Sequence, residues 1–498
     1  MTRHSPSRTT ASWLLTKRRR VLASAIAAAG TGLVTAAAAQ APALANLRPF
    51  PNDSGFAATY SLAGVVDQSG PFFQSLGNNG RSCASCHESA FGWTITPRSV
   101  QARFARSDGT DPIFRTVDGS NSPLADVSTP RARRQAYSML LSKGLIRVGI
   151  GIPANAEFEL AKVDDPYGYA SAGELSLFRR PLPTTNLTRL STVMWDGRET
   201  FKDAASTECV VGTSNCFASI SFDLTDQSNV ATLGHAHAAA ALTPAQRSAI
   251  VSFEMGLFTA QVWDHHAGAL TSHGGRGGPV AASEQDFYFG INDTLAGDYR
   301  THAPFTPTVM TAYDAWQSLG HEAERDRGRD EDRDFDHGSR EGRHAVARGQ
   351  ALFNSRPMRI TGVGGLNDDL GLPVIQGTCT TCHNTPNAGN HSVPLPLAIG
   401  IADGARRTLD MPLYTLRNKT SGDTVQVTDP GRALITGKWK DIGRFKGPVL
   451  RALAARAPYF HNGMAQDLGA AVDFYDTRFG MSLTRQERAD LVAFLRTL

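Results

Sequence analysis

Two stretches of the chain repeat the same order of apolar and polar positions. The run from Leu242 to Leu257 aligns with the run from Leu483 to Leu498, with Ile250, Phe253 and Leu257 matching Leu491, Phe494 and Leu498. That spacing predicts two amphipathic helices. Each opens on a capping-box pair, Thr243 with Gln246 and Thr484 with Glu487. A second correspondence lies upstream of each, Thr192 to Arg198 against Ala457 to Gly463, an aromatic residue followed by a polar turn with glycine.

A shorter amphipathic helix is expected over Ala347 to Phe353. Strand signals are sparse, so helices and long loops should dominate. Between the two units, Glu322 to Arg343 is dense in charge and poor in apolar residues, which predicts a solvated, disordered excursion. His273 to Pro279 is glycine-rich but lacks the Lys-Ser/Thr of a phosphate loop, and reads as a flexible connection. The pattern divides the chain into an N-terminal unit over 46–260, a connecting segment over 261–344 and a C-terminal unit over 345–498. The fold class is mainly α, two tandem units with long loops and insertions.

The 498 residues carry 50 Lys and Arg against 46 Asp and Glu. Six of those basic residues and none of the acids fall in residues 1–45, where a basic cluster at Lys17 to Arg20 precedes an Ala-rich run and Ala43-Leu44-Ala45. This is the form of a secretory signal peptide. The remaining chain is then slightly acidic, which gives no reason to expect nucleic acid as a partner. No later segment is apolar enough to span a bilayer. A periplasmic location is expected.

Four of the six cysteines fall in two Cys-x-x-Cys-His motifs, Cys83 to His87 and Cys379 to His383. In such a motif two thiols attach haem covalently and the adjacent imidazole ligates the iron. Two cytochrome c-like units, one haem c each, are therefore expected. The competing reading is one zinc held by Cys83, Cys86, Cys379 and Cys382, although zinc does not call for the adjacent histidine. Cys209 and Cys216 remain, and in an oxidising compartment should close a short disulfide loop.

Phe178 to Asn186, Met194 to Arg198 and Arg456 to Gly463 together resemble the bacterial di-haem cytochrome c peroxidase superfamily, which includes the MauG-type enzymes. The resemblance implies that His87 serves a reactive haem and His383 a second one, with Trp195 an electron relay between them. The position fourteen residues after His461 holds Tyr475. By the same resemblance Tyr475 is the other axial ligand of the second haem, with Met464 and Met481 as rivals. The Gln and Glu expected ten and twenty residues after the tryptophan are replaced by Ala205 and Asn215. His235, with Gln227 as a hydrogen-bonding neighbour, is the substitute candidate for moving a proton during peroxide cleavage. Glu254 reads as structural; His265, His266 and His391 could be read as ligands or as solvated loop histidines, the commoner case, and carry no assignment. A calcium between the haems is left in doubt, because Arg456 stands where a Thr is expected and the Asn is not recoverable.

The implied function is an oxidoreductase that reduces hydrogen peroxide with electrons from a small cytochrome c or cupredoxin. A MauG-like oxidase or oxygenase acting on an organic or protein substrate, and a non-catalytic di-haem electron carrier, are the alternatives.

Overall fold

Threonine starts both members of the repeated helix pair. In the computed structural model, which describes residues 43–200, 220–319 and 339–498 and the backbone alone of 208–209, 216–217 and 333–338, the helices are Pro244–Met255 and Arg485–Arg496. The Thr243 and Thr484 hydroxyls accept from the backbone N–H of Gln246 and Glu487, whose side chains accept in return from the Thr N–H groups. Both helices stop short of their apolar pattern. Gly256 caps the first through its N–H, and Leu257 begins a strand, Leu257–Asp264. The last leucine of each run is therefore not helical.

What the repeated helices bury is also repeated. Phe253 packs on Phe72 at 4.9 Å between ring centroids, and Phe72 lies 6.3 Å from the ring of His87. Phe494 packs on Phe353 at 5.7 Å, and Phe353 lies 6.1 Å from His383. Each motif histidine thus has a phenylalanine wedged between it and its helix.

Strands are more frequent than the sequence pattern predicts: among the described residues 33% are helical but 18% are strand. The strands are short and buried on both faces in places, which removes the alternation by which they are read. Gly55–Ser61 pairs antiparallel with Leu257–Asp264 inside a four-stranded sheet. Phe158–Asp164 pairs with Leu413–Asn418, which joins two segments far apart in the chain. Leu175–Arg179, buried at every position, pairs with Ile146–Ile150. Ala43–Ala45, at the expected leader boundary, pairs with Val65–Asp67. Residues 1–42 lie outside the described residues.

The charged stretch is not wholly an excursion. A single helix, Arg333–Ser355, runs through its C-terminal part and absorbs the short helix expected over Ala347 to Phe353. Packing overrides composition there: Ser339 and Arg343 are buried, and the Arg343 Nε donates to the carbonyl of Ala267. Residues 320–332 lie outside the described residues. The glycine-rich connection is likewise packed rather than loose. Gly275 and Gly277 sit where a Cβ would come within 2.8 Å of Trp316 and 2.6 Å of the Tyr313 hydroxyl. Backbone pairing sets Cys209 opposite Cys216, whose side chains, and hence the disulfide expected between them, lie outside the described residues.

The long helix crosses Arg485–Arg496 at Gly349, where a Cβ would lie 1.9 Å from the carbonyl oxygen of Asp490. Beside that contact Arg348 forks onto the Asp490 carboxylate at 2.7 and 3.0 Å. Gly349→Ala is expected to destabilise the protein in urea by about 1–3 kcal/mol, as overpacking does. Helix propensity alone would give a gain of about 1 kcal/mol, so the sign of the measured change identifies the close crossing.

Candidate active site

Each Cys-x-x-Cys-His segment folds as one tight turn. Cys83–Ser85 and Cys379–Thr381 are single 3-10 turns capped by Ser82 with Ser85 and by Thr378 with Thr381. The His87 N–H donates to the Cys83 carbonyl and the His383 N–H to the Cys379 carbonyl, each at 3.0 Å. That closure brings both thiols and the imidazole of each motif to the wall of one cavity. Both cavities are lined mainly by apolar side chains.

The residues fit haem c. His87 Nδ1 donates to the Trp93 carbonyl at 3.0 Å, and His383 Nδ1 donates to the Gly389 carbonyl. A carbonyl can only accept, so each ring carries its proton on Nδ1 and leaves Nε2 as a free ligand atom. Burial holds both imidazoles neutral, His87 down to about 4. Burial also pushes the thiols of Cys83 and Cys86 up to about 12 and 11. The zinc reading fails on geometry, because the two cysteine pairs line different cavities.

In the cavity of His383, Tyr475 and Met481 both line the wall, whereas Met464 does not. Burial first, then the nearby Cys382 and Cys379 thiols, pushes the Tyr475 phenol upward. The ring is seated between Phe460 and Phe479, at 6.0 and 6.2 Å between centroids. His391 also lines this cavity and is buried, so it is not a solvated loop residue; His265 and His266 are exposed. Burial depresses His391 to about 4.

The cavity of His87 is walled by one face of the helix Ile220–His235, from Leu224 through Gln227, Ser228, Ala231 and Thr232 to His235. Gln227 and His235 are two turns apart, about 12 Å along the axis, so the pair spans the cavity rather than sharing one point. His235 Nδ1 donates to Asp118 Oδ2 at 2.5 Å, and Asp118 is also paired with Arg81. Burial alone would raise Asp118, but the His235 hydrogen bond and the Arg81 charge outweigh it and hold the carboxyl below its usual range. Glu254 lines the same cavity at 4% exposure, and its Oε2 has no hydrogen-bond partner. Burial raises it to about 8, so it is protonated at neutral pH. Its place four residues after Ile250, on the buried face of the helix, was the one sign of this in the sequence. Asp118 gave none, being distant from His235 along the chain. Ala205 and Asn215 lie outside the described residues.

Trp195 lines both cavities. Its Nε1 donates to the Arg180 carbonyl at 2.8 Å, and its ring meets His461 edge-on at 6.2 Å. His461 is stacked on Phe445 at 3.9 Å and depressed by burial to about 4. The following residue, Asp196, is fully buried against Arg179 and Arg198 at 2.6 and 3.0 Å. Burial would raise Asp196, yet those two charges hold it down at about 2. In the same wall the Arg456 carbonyl, a possible calcium ligand by resemblance, accepts from the Arg180 guanidinium at 3.1 Å. A cation side chain already occupies that oxygen.

No protein-family model matches the chain. Cytochrome-c peroxidase IdrP1 of Pseudomonas sp. (strain SCT) is 32% identical over 140 residues, covering 24% of this chain and 36% of the relative. Cytochrome-c peroxidase IdrP2 of Denitromonas iodatirespirans is 31% identical over 133 residues, covering 25% and 36%. Cytochrome c551 peroxidase of Nitrosomonas europaea is 30% identical over 121 residues, covering 24% and 30%. The chain thus spans about a third of the length of the curated relatives it matches. Over about a quarter of its own length, it is a relative of the bacterial cytochrome-c peroxidases.

Proposed function

We propose that the chain is a periplasmic di-haem c-type peroxidase that reduces hydrogen peroxide to two waters with two protons and two electrons from a small redox protein. The observation that carries this reading is the pair of cavities, each with a complete Cys-x-x-Cys-His turn, meeting at the Trp195 wall. The names of the relatives agree with it. Haem, when bound, supplies the redox-active iron that exchanges electrons with peroxide and donor.

The protein's own part is to place protons, ligands and an oxidisable ring. Asp118 holds His235 with its proton on Nδ1, which leaves Nε2 as the atom that takes up and returns a proton. Glu254, protonated and shielded from water, is a second proton store in the same cavity. Gln227 orients peroxide from the other end of the helix face. Trp195, with an indole that can be oxidised, relays electrons from the cavity of His383. Tyr475 would be the second protein group, after His383, to hold the haem iron of that cavity.

A second reading has Tyr475 in its favour: a MauG-like oxidase that stores oxidising equivalents at both sites. Tyr475→Phe separates the two. Unchanged peroxide-driven oxidation of an organic or protein substrate in that variant would exclude the MauG-like reading.

The ferric protein is expected to show one high-spin and one low-spin haem by electron paramagnetic resonance, and to oxidise a reduced cytochrome or cupredoxin when peroxide is added. Two low-spin haems and no turnover after partial reduction would overturn the peroxidase reading. His235→Ala is expected to lower kcat/KM for peroxide by about 10²-fold, the scale of general acid–base catalysis.

For Glu254 the expected effect is on stability against pH. The folded protein keeps a proton that the unfolded chain releases above about 4.5, up to about 8. Its contribution is therefore full below the lower value and drains away as pH rises to the upper one. Glu254→Gln is expected to flatten that decline, measured by chemical denaturation on either side of the window.

A further inference from the structure

The wall between the cavities holds cationic side chains with no carboxylate partner among the described residues. Arg180 and Lys446 line both cavities, and Arg456 lines that of His383. All three are buried, at 5%, 6% and 8% exposure. Their hydrogen bonds go to neutral carbonyls: Arg180 to Lys143, Ile95 and Arg456, Lys446 to Thr192, and Arg456 to Val449. Arg456 Nε has no partner at all. Among the described residues no carboxylate pairs with any of the three. Asp196 and Asp429 are bound to Arg179.

Burying a cation without an anion is strongly unfavourable, and three together repel one another. Charge depression follows: burial and the Arg456 charge lower Lys446 to about 7 and Arg180 to about 9. An arrangement of this kind persists only if something anionic completes it. The two cavities that these side chains line are those that fit haem c, and haem c carries two propionate carboxylates.

We propose that Arg180, Lys446 and Arg456 form a cationic clamp, built into the wall between the cavities, that binds propionate carboxylates of both haem groups. The inference rests on the di-haem reading above and adds the residues that couple the two sites. Guanidinium and ammonium groups make charge-assisted hydrogen bonds to carboxylates. Each pairing would offset the negative charge of a propionate, which favours the reduced state. Arg180 and Lys446 act on both groups because they face both cavities, and Arg456 acts on one.

The test uses the full-length holoprotein with Lys446→Met and Arg456→Met, which roughly keep side-chain length. Intact mass reports the number of attached haems, spectroelectrochemical titration the two midpoint potentials, and resonance Raman the propionate bending bands. Two haems are expected in each variant. Both midpoints should fall in Lys446→Met, one should fall more than the other in Arg456→Met, and the propionate bands should shift in both. Arg456→Lys, which retains the charge, should keep its midpoints near those of the parent. Should Lys446→Met fail to fold, the Arg456 pair carries the same comparison. Two attached haems with unmoved midpoints and bands would overturn the clamp and leave the di-haem reading intact. Parent protein without attached haem would overturn both, so the two failures are distinguishable.

Discussion

Arg179 keeps its charge in the interior, at 2% exposure, because two carboxylates reach it from opposite sides. Its Nε and Nη2 fork onto Asp429 at 2.7 and 2.9 Å, and its Nη1 meets Asp196 at 2.6 Å. Those three residues come from the end of a buried strand, from the turn that carries Trp195, and from the loop after Thr424–Val427. A bidentate pair adds direction as well as energy. Breaking one partner of such a buried set leaves an uncompensated charge, which is far costlier than the set itself. The turn is therefore held at one position, and with it the wall that the two cavities share.

From that wall outward the two halves begin alike and diverge. Both Cys-x-x-Cys-His turns close in the same way, both imidazoles donate through Nδ1 to a carbonyl, and both are backed by a phenylalanine. The opposite walls differ in chemistry. The cavity of His87 has a carboxylate-held imidazole and a buried, protonated carboxyl. The cavity of His383 has a phenol packed among aromatic rings. The two walls therefore carry different side chains, a difference that the motifs alone do not express.

Local signals were legible where local physics decides. The capping boxes, the repeated helices and the Cys-x-x-Cys-His turns depend on residues within a few positions of one another, and they fold as their spacing implies. The strands were not legible, because pairs such as Gly55–Ser61 with Leu257–Asp264 are made by partners far apart in the chain. The charged stretch misled for the same reason. Its composition favours solvent, but Gly342 allows the helix to press against the backbone at His266, where a Cβ would come within 2.1 Å.

The sequence by itself determined that two Cys-x-x-Cys-His turns exist, that each has its own capped helix, and that Trp195, Tyr475, Gln227 and His235 were worth watching. Tertiary structure alone decided that Trp195 faces both cavities, that Asp118 orients His235, that Glu254 and His391 are buried in cavity walls, and that three cations lie between the cavities with no carboxylate partner among the described residues. The physical reason is range. Covalent attachment and capping act over a few bonds, whereas charge, burial and shared walls depend on which distant segments the fold brings together.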